Sequence, residues 1–225
     1  MKASKALNAG KIKSGSRTKS PSFKLAAKSA AAVGAAVLVL GAIYWLNLER
    51  EGGRTGKYKF QVGSPGPGEV APPIRLDANL FGDFDLATLR GKTVLLYFQE
   101  GLTCQPCWDQ LKDIEKNPDD FRALGIDTIV SITTDPVNLV LKKTADEAIR
   151  TPILSDPDLA VSKSYGTNSY GMMGDSRNGH TFVVVGPDGR ILWRADYGGA
   201  PDYTMYLPVP DLLADLRHGL GKAGS

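Results

Sequence analysis

Cysteine and histidine are scarce in this 225-residue chain, with two of each. With no third cysteine available, the two sulfurs can act mainly on each other and on a visiting substrate. The four ligands of a usual structural zinc site are not found near one another. No G-x-S-x-G nucleophile elbow occurs, and no glycine-rich phosphate loop, so hydrolase and nucleotide-binding functions have nothing to rest on. Acidic residues are absent from the first 28 positions, and charge of either sign is absent from residues 29–48. There is no internal repeat.

What is present begins with that contrast. Residues 1–28 carry eight basic side chains, and the twenty uncharged residues that follow include Tyr44 and Trp45 near their far end. At about 1.5 Å rise per residue, such a run just spans a hydrocarbon core of roughly 30 Å. The basic flank predicts a cytoplasmic N-terminus, a single transmembrane helix over 29–48, and a cell-membrane protein whose remainder lies outside the cytoplasm. A cleaved signal peptide fits less well, because the apolar run ends in bulky Tyr44-Trp45-Leu46 rather than in small residues. The overall charge of +3 comes from the tail; residues 29–225 alone are net −5. The soluble part therefore has no nucleic-acid footprint, and the membrane is the expected partner of the tail.

The two cysteines stand three apart, as Cys104-Gln105-Pro106-Cys107. They follow the apolar run Thr93-Val-Leu-Leu-Tyr-Phe98 and open a stretch with helical spacing. A helix N-terminus offers partial positive charge and free N–H groups, which stabilise a thiolate and lower its pKa. A structural disulfide stabilises most when it closes a long loop, and this spacing closes almost none. The pair therefore points to redox work, with Cys104 and Cys107 as the candidate catalytic residues.

Residues 49–70 are rich in Gly, Pro and charge and read as a linker; residues 71–220 form a single domain with room for a core. Strands are expected at 93–99, 126–132, 180–186 and 191–197. Helical spacing runs from Trp108 through Leu111 and Ile114 to Phe121 and Leu124, and further helices are expected at 137–149 and 210–220. Asp135-Pro136 suits a helix start, and Pro187-Asp188-Gly189 a tight hairpin turn. The order strand, helix, strand, helix, hairpin, helix predicts an α/β domain with a mixed sheet and helices on both faces.

These pieces resemble the thioredoxin fold, and within it the alkyl hydroperoxide reductase / thiol-specific antioxidant family, the peroxiredoxin-like redoxins. The resemblance covers about residues 65–216. It rests on Gly68, Ala71-Pro72, Ile74 and Leu76, on Leu86, Leu89 and Gly91-Lys92, on Thr151-Pro-Ile-Leu-Ser-Asp-Pro-Asp158, and on the late segments Thr181-Phe-Val-Val-Val and Pro187-Asp-Gly-Arg-Ile191. The family's P-x-x-x-T-x-x-C motif places its peroxide-attacking cysteine at Cys107, with Cys104 in place of the threonine and Glu100 in place of the proline. No arginine directly precedes the late strand, so Arg177 would have to reach in. Thioredoxin-type reductases carry a cis-proline before that strand, where this chain has Gly179-His180.

The resemblance implies an antioxidant or thiol–disulfide oxidoreductase without a cofactor. In disulfide exchange, Cys104 attacks a substrate disulfide and Cys107 resolves it. In peroxide reduction, Cys107 becomes a sulfenic acid and Cys104 condenses with it. The expected partners are protein thiols or disulfides, or hydroperoxides, together with an outside electron donor. Exchange is the first expectation and a thiol peroxidase the alternative. A further alternative is a copper metallochaperone using both cysteines and His180, since soft thiolates and imidazole suit copper. His180 either tunes the sulfurs or is a half-buried imidazole bonded to backbone. Trp108 either shields the site or belongs to the core. Glu100, expected to be solvated, lines the loop with Thr103 and Gln105.

Overall fold

The computed structural model describes residues 37–41, 57–80 and 82–221. The chain divides into two units, residues 1–46 and 47–225. In the first, residues 37–41 are helical. The rest of the span expected at 29–48, the tail 1–28 and the first part of the linker, 49–56, lie outside the described residues. Among the described residues no helix is long and apolar enough to cross a membrane.

In the second unit, strands β1 (Arg75–Ala78), β2 (Gly82–Asp85), β3 (Val94–Phe98), β4 (Thr128–Thr133), β5 (Ile153–Ser155), β6 (Thr181–Val185) and β7 (Ile191–Asp196) form one sheet in the order β2-β1-β5-β4-β3-β6-β7. The helices are α1 (Gln105–Glu115), α2 (Pro118–Ala123), α3 (Val137–Glu147), α4 (Ala160–Ser164) and α5 (Val209–Gly219). β3 pairs parallel with β4 and antiparallel with β6, so the expected mixed sheet is present and β3 lies inside it. All five residues of β3 are buried. A strand covered on both faces reads as a continuous apolar run, and its side chains alternate between the two sides. Leu95 and Tyr97 join a core with Trp108, Leu111 and Ile114 of α1 and Leu212 and Leu216 of α5. Leu96 and Phe98 join a second core with Val161 of α4 and Ile74. Each large apolar side chain so buried contributes about 1.5–3 kcal/mol, and both cores converge on the strand that leads to the cysteines.

The helix expected to run on toward Leu124 is broken. Pro118 cannot donate the N–H that a continuous helix needs, so α1 ends at Glu115 and Pro118 opens α2. α3 stops two residues short of Ile149, with Ala148 in the left-handed region at φ 56°. The Pro187-Asp188-Gly189 hairpin forms as expected: Gly186 N–H donates to Arg190 O at 2.8 Å, and Gly189 takes φ +77°. The β1–β2 hairpin, β5 and α4 have no counterpart among the expected elements. They are three to five residues long, below the length at which periodicity declares itself.

Candidate active site

The backbone leaves β3 at Phe98 and must turn within five residues to enter α1. Gln99 N–H still pairs with Ile132 O at 3.0 Å, and Cys104 N–H closes the turn on Gly101 O at 3.0 Å. Gly101 sits at φ +87°, and a Cβ there would lie 1.8 Å from Asp135 Oδ2 and 2.2 Å from Thr133 Oγ1. Only glycine fits both the backbone angle and the space.

Asp135 is the anchor of this turn. Its Oδ2 accepts from Leu102 N–H at 2.7 Å and from the Thr133 hydroxyl at 2.8 Å. Its Oδ1 accepts from Arg177 Nη1 at 2.8 Å, and the same nitrogen donates to Glu100 O at 2.9 Å. The acid that suits a helix start in the sequence is thus turned toward the cysteine loop: α3 has Pro136 at its N-cap and no side-chain cap bond. Arg177 does reach in, but it does so as a clamp on the loop. Trp108, fully buried in the core, donates from Nε1 to Gly101 O at 3.0 Å. Glu100 is 5 % exposed, not solvated as expected, because its Oε1 accepts from Met172 N–H. Its carboxylate helps to hold Tyr97 un-ionised: the Tyr97 phenol lies well above its usual range, first through complete burial and then through the charge of Glu100.

The loop delivers Cys104 to the N-cap of α1, with Pro106 in the first turn. Cys104 and Cys107 are joined as a disulfide, with their Cα atoms 5.4 Å apart. Their surroundings differ. Cys104 is 6 % exposed and Cys107 is 0 % exposed. The Cys107 N–H donates to Cys104 O at 3.0 Å and to Cys104 Sγ at 3.3 Å, so the outer sulfur shares an amide of the helix end. Thr103, Gln105 and Pro106 form the exposed rim beside it. Met205 joins the two cysteines in a buried apolar cluster of three.

His180 is fully buried, not half-buried, among Tyr97, Phe182 and Tyr197, with ring centroids 5.2 to 6.0 Å away. Its Nδ1 bonds Thr204 O at 2.8 Å, and since a carbonyl only accepts, Nδ1 carries the proton. Burial pushes its pKa down to about 3, against a smaller upward pull from Thr204. The ring is therefore neutral at ordinary pH and offers the sulfurs no cation. Asp135, Thr204 and Met205 were not singled out among the candidate residues. Asp135 carried a signal in Thr133-Thr134-Asp135-Pro136, whereas Met205 lies a hundred residues from the cysteines and carried none. Among the described residues no group of three or more His, Cys, Asp or Glu side chains gathers to hold a metal ion, and the copper-chaperone alternative finds no support in the geometry.

A central strand that leads through an anchored turn into a cysteine pair at a helix N-terminus defines a thioredoxin-fold thiol oxidoreductase. The chain belongs to the AhpC/TSA family, whose model matches residues 67–194, more than half of its length. It is 33 % identical over 132 residues to a Mycobacterium tuberculosis protein that bears a peroxiredoxin name, covering 56 % of this chain and 82 % of that one. It is 25 % identical over 127 residues to peroxiredoxin Bcp of Escherichia coli K12, covering 55 % of this chain and 81 % of the relative. Among solved structures, peroxidoxin BcpB of Mycobacterium tuberculosis superposes with a TM-score of 0.57 at 20 % identity, over 68 % of this chain and 97 % of that one. A Plasmodium vivax 2-Cys peroxiredoxin superposes with a TM-score of 0.55 at 24 % identity, over 70 % and 84 % of the two chains. These structural likenesses establish the fold.

Proposed function

We propose that this chain is a thiol peroxidase of the peroxiredoxin kind. The observation that carries the proposal is the joined pair itself. Cys107, at the position where the family pattern has its peroxide-attacking cysteine, is bonded to Cys104 at the start of α1 in a chain of the AhpC/TSA family. The Cys107 thiolate attacks the outer oxygen of a hydroperoxide; the O–O bond breaks, an alcohol or water leaves with one proton, and Cys107 becomes a sulfenic acid. The Cys104 thiol then displaces hydroxide from that sulfur, water leaves, and the disulfide forms. A dithiol donor attacks the outer sulfur, Cys104, and Cys107 departs as thiolate; the donor closes its own disulfide. Arg177, one-quarter exposed and bound to Asp135, supplies a cation at the loop in a chain that lacks the family pattern's arginine before the late strand.

A second mode, disulfide exchange, is favoured by a specific contact. Of the two sulfurs, Cys104 receives the helix-end amide and has the greater exposure, which suits it to attack a substrate disulfide. The two modes separate in single-cysteine variants. For a peroxidase, Cys107→Ser stops peroxide consumption, while Cys104→Ser reacts once and accumulates a sulfenic acid that a dimedone probe captures. If Cys104→Ser is inert to peroxide and Cys107→Ser instead traps mixed disulfides with proteins, the chain is an exchange enzyme.

We further infer that residues 29–48 anchor the chain in a membrane with the redox domain outside the cytoplasm. The support is the uncharged run behind eight basic residues. A reporter fused after Ser225 that is active only in the cytoplasm would refute this orientation.

A further inference from the structure

A segment far away in sequence packs beside the disulfide. Residues 198–208 leave β7, pass the cysteine pair and enter α5, and their contacts are distributed on either side of Met205. Thr204 O receives Nδ1–H of His180, and Thr204 N–H donates to Tyr197 O at 3.0 Å. Beyond Met205, the Tyr206 hydroxyl donates to Asp113 Oδ2 at 2.5 Å and Leu207 N–H donates to Gln110 Oε1 at 2.7 Å, both acceptors lying on α1. Met205, itself 8 % exposed, is held between these two sets of bonds and shares a buried cluster with Cys104 and Cys107.

We propose that His180 is a positioning residue: through the Thr204 carbonyl it holds Met205 against the Cys104–Cys107 disulfide and so sets how readily a dithiol reductant reaches Cys104. The inference rests on the disulfide being reopened in each turnover, which both the peroxidase and the exchange modes require. His180 is suited to this work and unsuited to titration. Its Nε2 is fully buried with no hydrogen-bond partner, an arrangement that costs stability, while the ring's one hydrogen bond is the one to the Met205 segment. An unpartnered ring nitrogen retained in an aromatic cage identifies Nδ1 as the atom that matters. A neutral ring also leaves the thiol pKa values to the helix end.

The test is the rate at which dithiothreitol reduces the oxidised full-length protein. One dithiothreitol thiolate attacks Cys104 Sγ, the Cys104–Cys107 bond breaks and Cys107 leaves as thiolate; the second dithiothreitol thiol then closes the reagent's own disulfide, breaking the mixed disulfide and releasing Cys104 as thiolate. His180→Phe keeps the ring and removes the Nδ1 donor. It should raise the rate about fivefold, the change that loss of one net hydrogen bond makes to an opening equilibrium. His180→Asn, which returns an N–H near the Nδ1 position, should restore the slow rate. Met205→Ala should accelerate reduction at least as much, and the double variant His180→Phe/Met205→Ala should be no faster than Met205→Ala alone. The pH midpoint for iodoacetamide alkylation of the reduced protein should stay in place in all of them.

A multiplicative double variant, or an unchanged rate in Met205→Ala, would overturn the inference. So would a shifted alkylation midpoint in His180→Phe, because it would make His180 a tuning group. If His180→Phe fails to fold, His180→Leu, which also removes the Nδ1 donor, takes its place, and an unchanged reduction rate in the variant that folds would likewise overturn the inference. Peroxide consumption is not read in this experiment, so the inference can fail while the peroxidase proposal stands, and the reverse.

Discussion

Replacing Asp135 by asparagine tests whether the cysteine loop is held in the way described. The carboxylate is 3 % exposed and accepts from three donors: Leu102 N–H, the Thr133 hydroxyl and Arg177 Nη1. Asparagine has the same shape but one acceptor oxygen. If that oxygen faces Leu102 and Thr133, the new NH2 group faces the guanidinium; if it faces Arg177, the NH2 meets a backbone N–H. Either way two donors oppose each other and Arg177 loses its counter-charge. Breaking a buried pair costs about 3–5 kcal/mol, and because Arg177 is one-quarter exposed, water recovers part of this, leaving roughly 2–3 kcal/mol. For a domain of this size the melting temperature should fall by about 5–10 °C. At 25 °C the variant remains folded, so peroxide turnover there reads loop placement alone. A loop shifted by a fraction of an ångström should lower turnover by about tenfold. Arg177→Met strands the Asp135 charge, which is more deeply buried than the guanidinium, and should cost at least as much stability as Asp135→Asn although the carboxylate keeps its other two donors. A melting temperature within about 2 °C of the parent, with turnover unchanged, would refute the assignment of Asp135 as the anchor.

Two further outcomes follow from buried charge and buried imidazole. Arg194 and Asp196 are both 0 % exposed, with Arg194 Nε and Nη2 each 2.9 Å from the carboxylate and Nη1 bonded to Tyr165 O and Pro65 O; Arg194→Met strands the Asp196 charge and should cost about 3–5 kcal/mol in urea unfolding, the paired change Arg194→Met/Asp196→Leu costing less. His180 has an ordinary value of 6.5 in the unfolded chain and about 3 in the fold, so below pH 6.5 the unfolded state binds the extra proton and folding stability should decline by roughly 1.4 kcal/mol per pH unit toward pH 3, a component that unfolding titrations should find missing from His180→Phe.

The parts of the fold written in long apolar runs were legible. The run at 93–98 is a strand because both faces of β3 are covered, and the spacing of Trp108, Leu111 and Ile114 is one buried stripe of α1. The helix that read on to Leu124 broke where Asn117-Pro118 interrupts it, a local signal overridden in the periodicity. The cysteines declared themselves because their chemistry depends on neighbours three residues apart. The rest of the site depends on contacts across the sheet. Asp135 reaches Leu102 over 33 residues and Arg177 reaches Asp135 over 42, and no period or spacing encodes such a meeting. Glu100 misled for the same reason: a carboxylate in a polar loop reads as solvated until the backbone of Met172 is brought to it.

The two sulfurs are unequal, and that inequality bears on one half of the catalytic cycle more than the other. Cys104 has the rim, the greater exposure and the helix-end amide; Cys107 is wholly enclosed. In the proposed cycle a bulky thiol donor therefore meets Cys104 first, and the departing sulfur is Cys107 whether the disulfide was made by a hydroperoxide or by exchange. The reductive half thus follows from burial alone. The oxidative half depends on which reduced sulfur reacts, and there size matters: burial of Cys107 hinders a hydroperoxide less than a protein disulfide, which is confined to Cys104. Met205 sharpens this division, since a side chain clustered with the two cysteines obstructs a protein far more than a peroxide. Opening that cover should accelerate reduction by dithiols more than oxidation by hydrogen peroxide. Stopped-flow measurement of both half-reactions in Met205→Ala would show it, and an equal acceleration of the two would remove Met205 as the discriminating element.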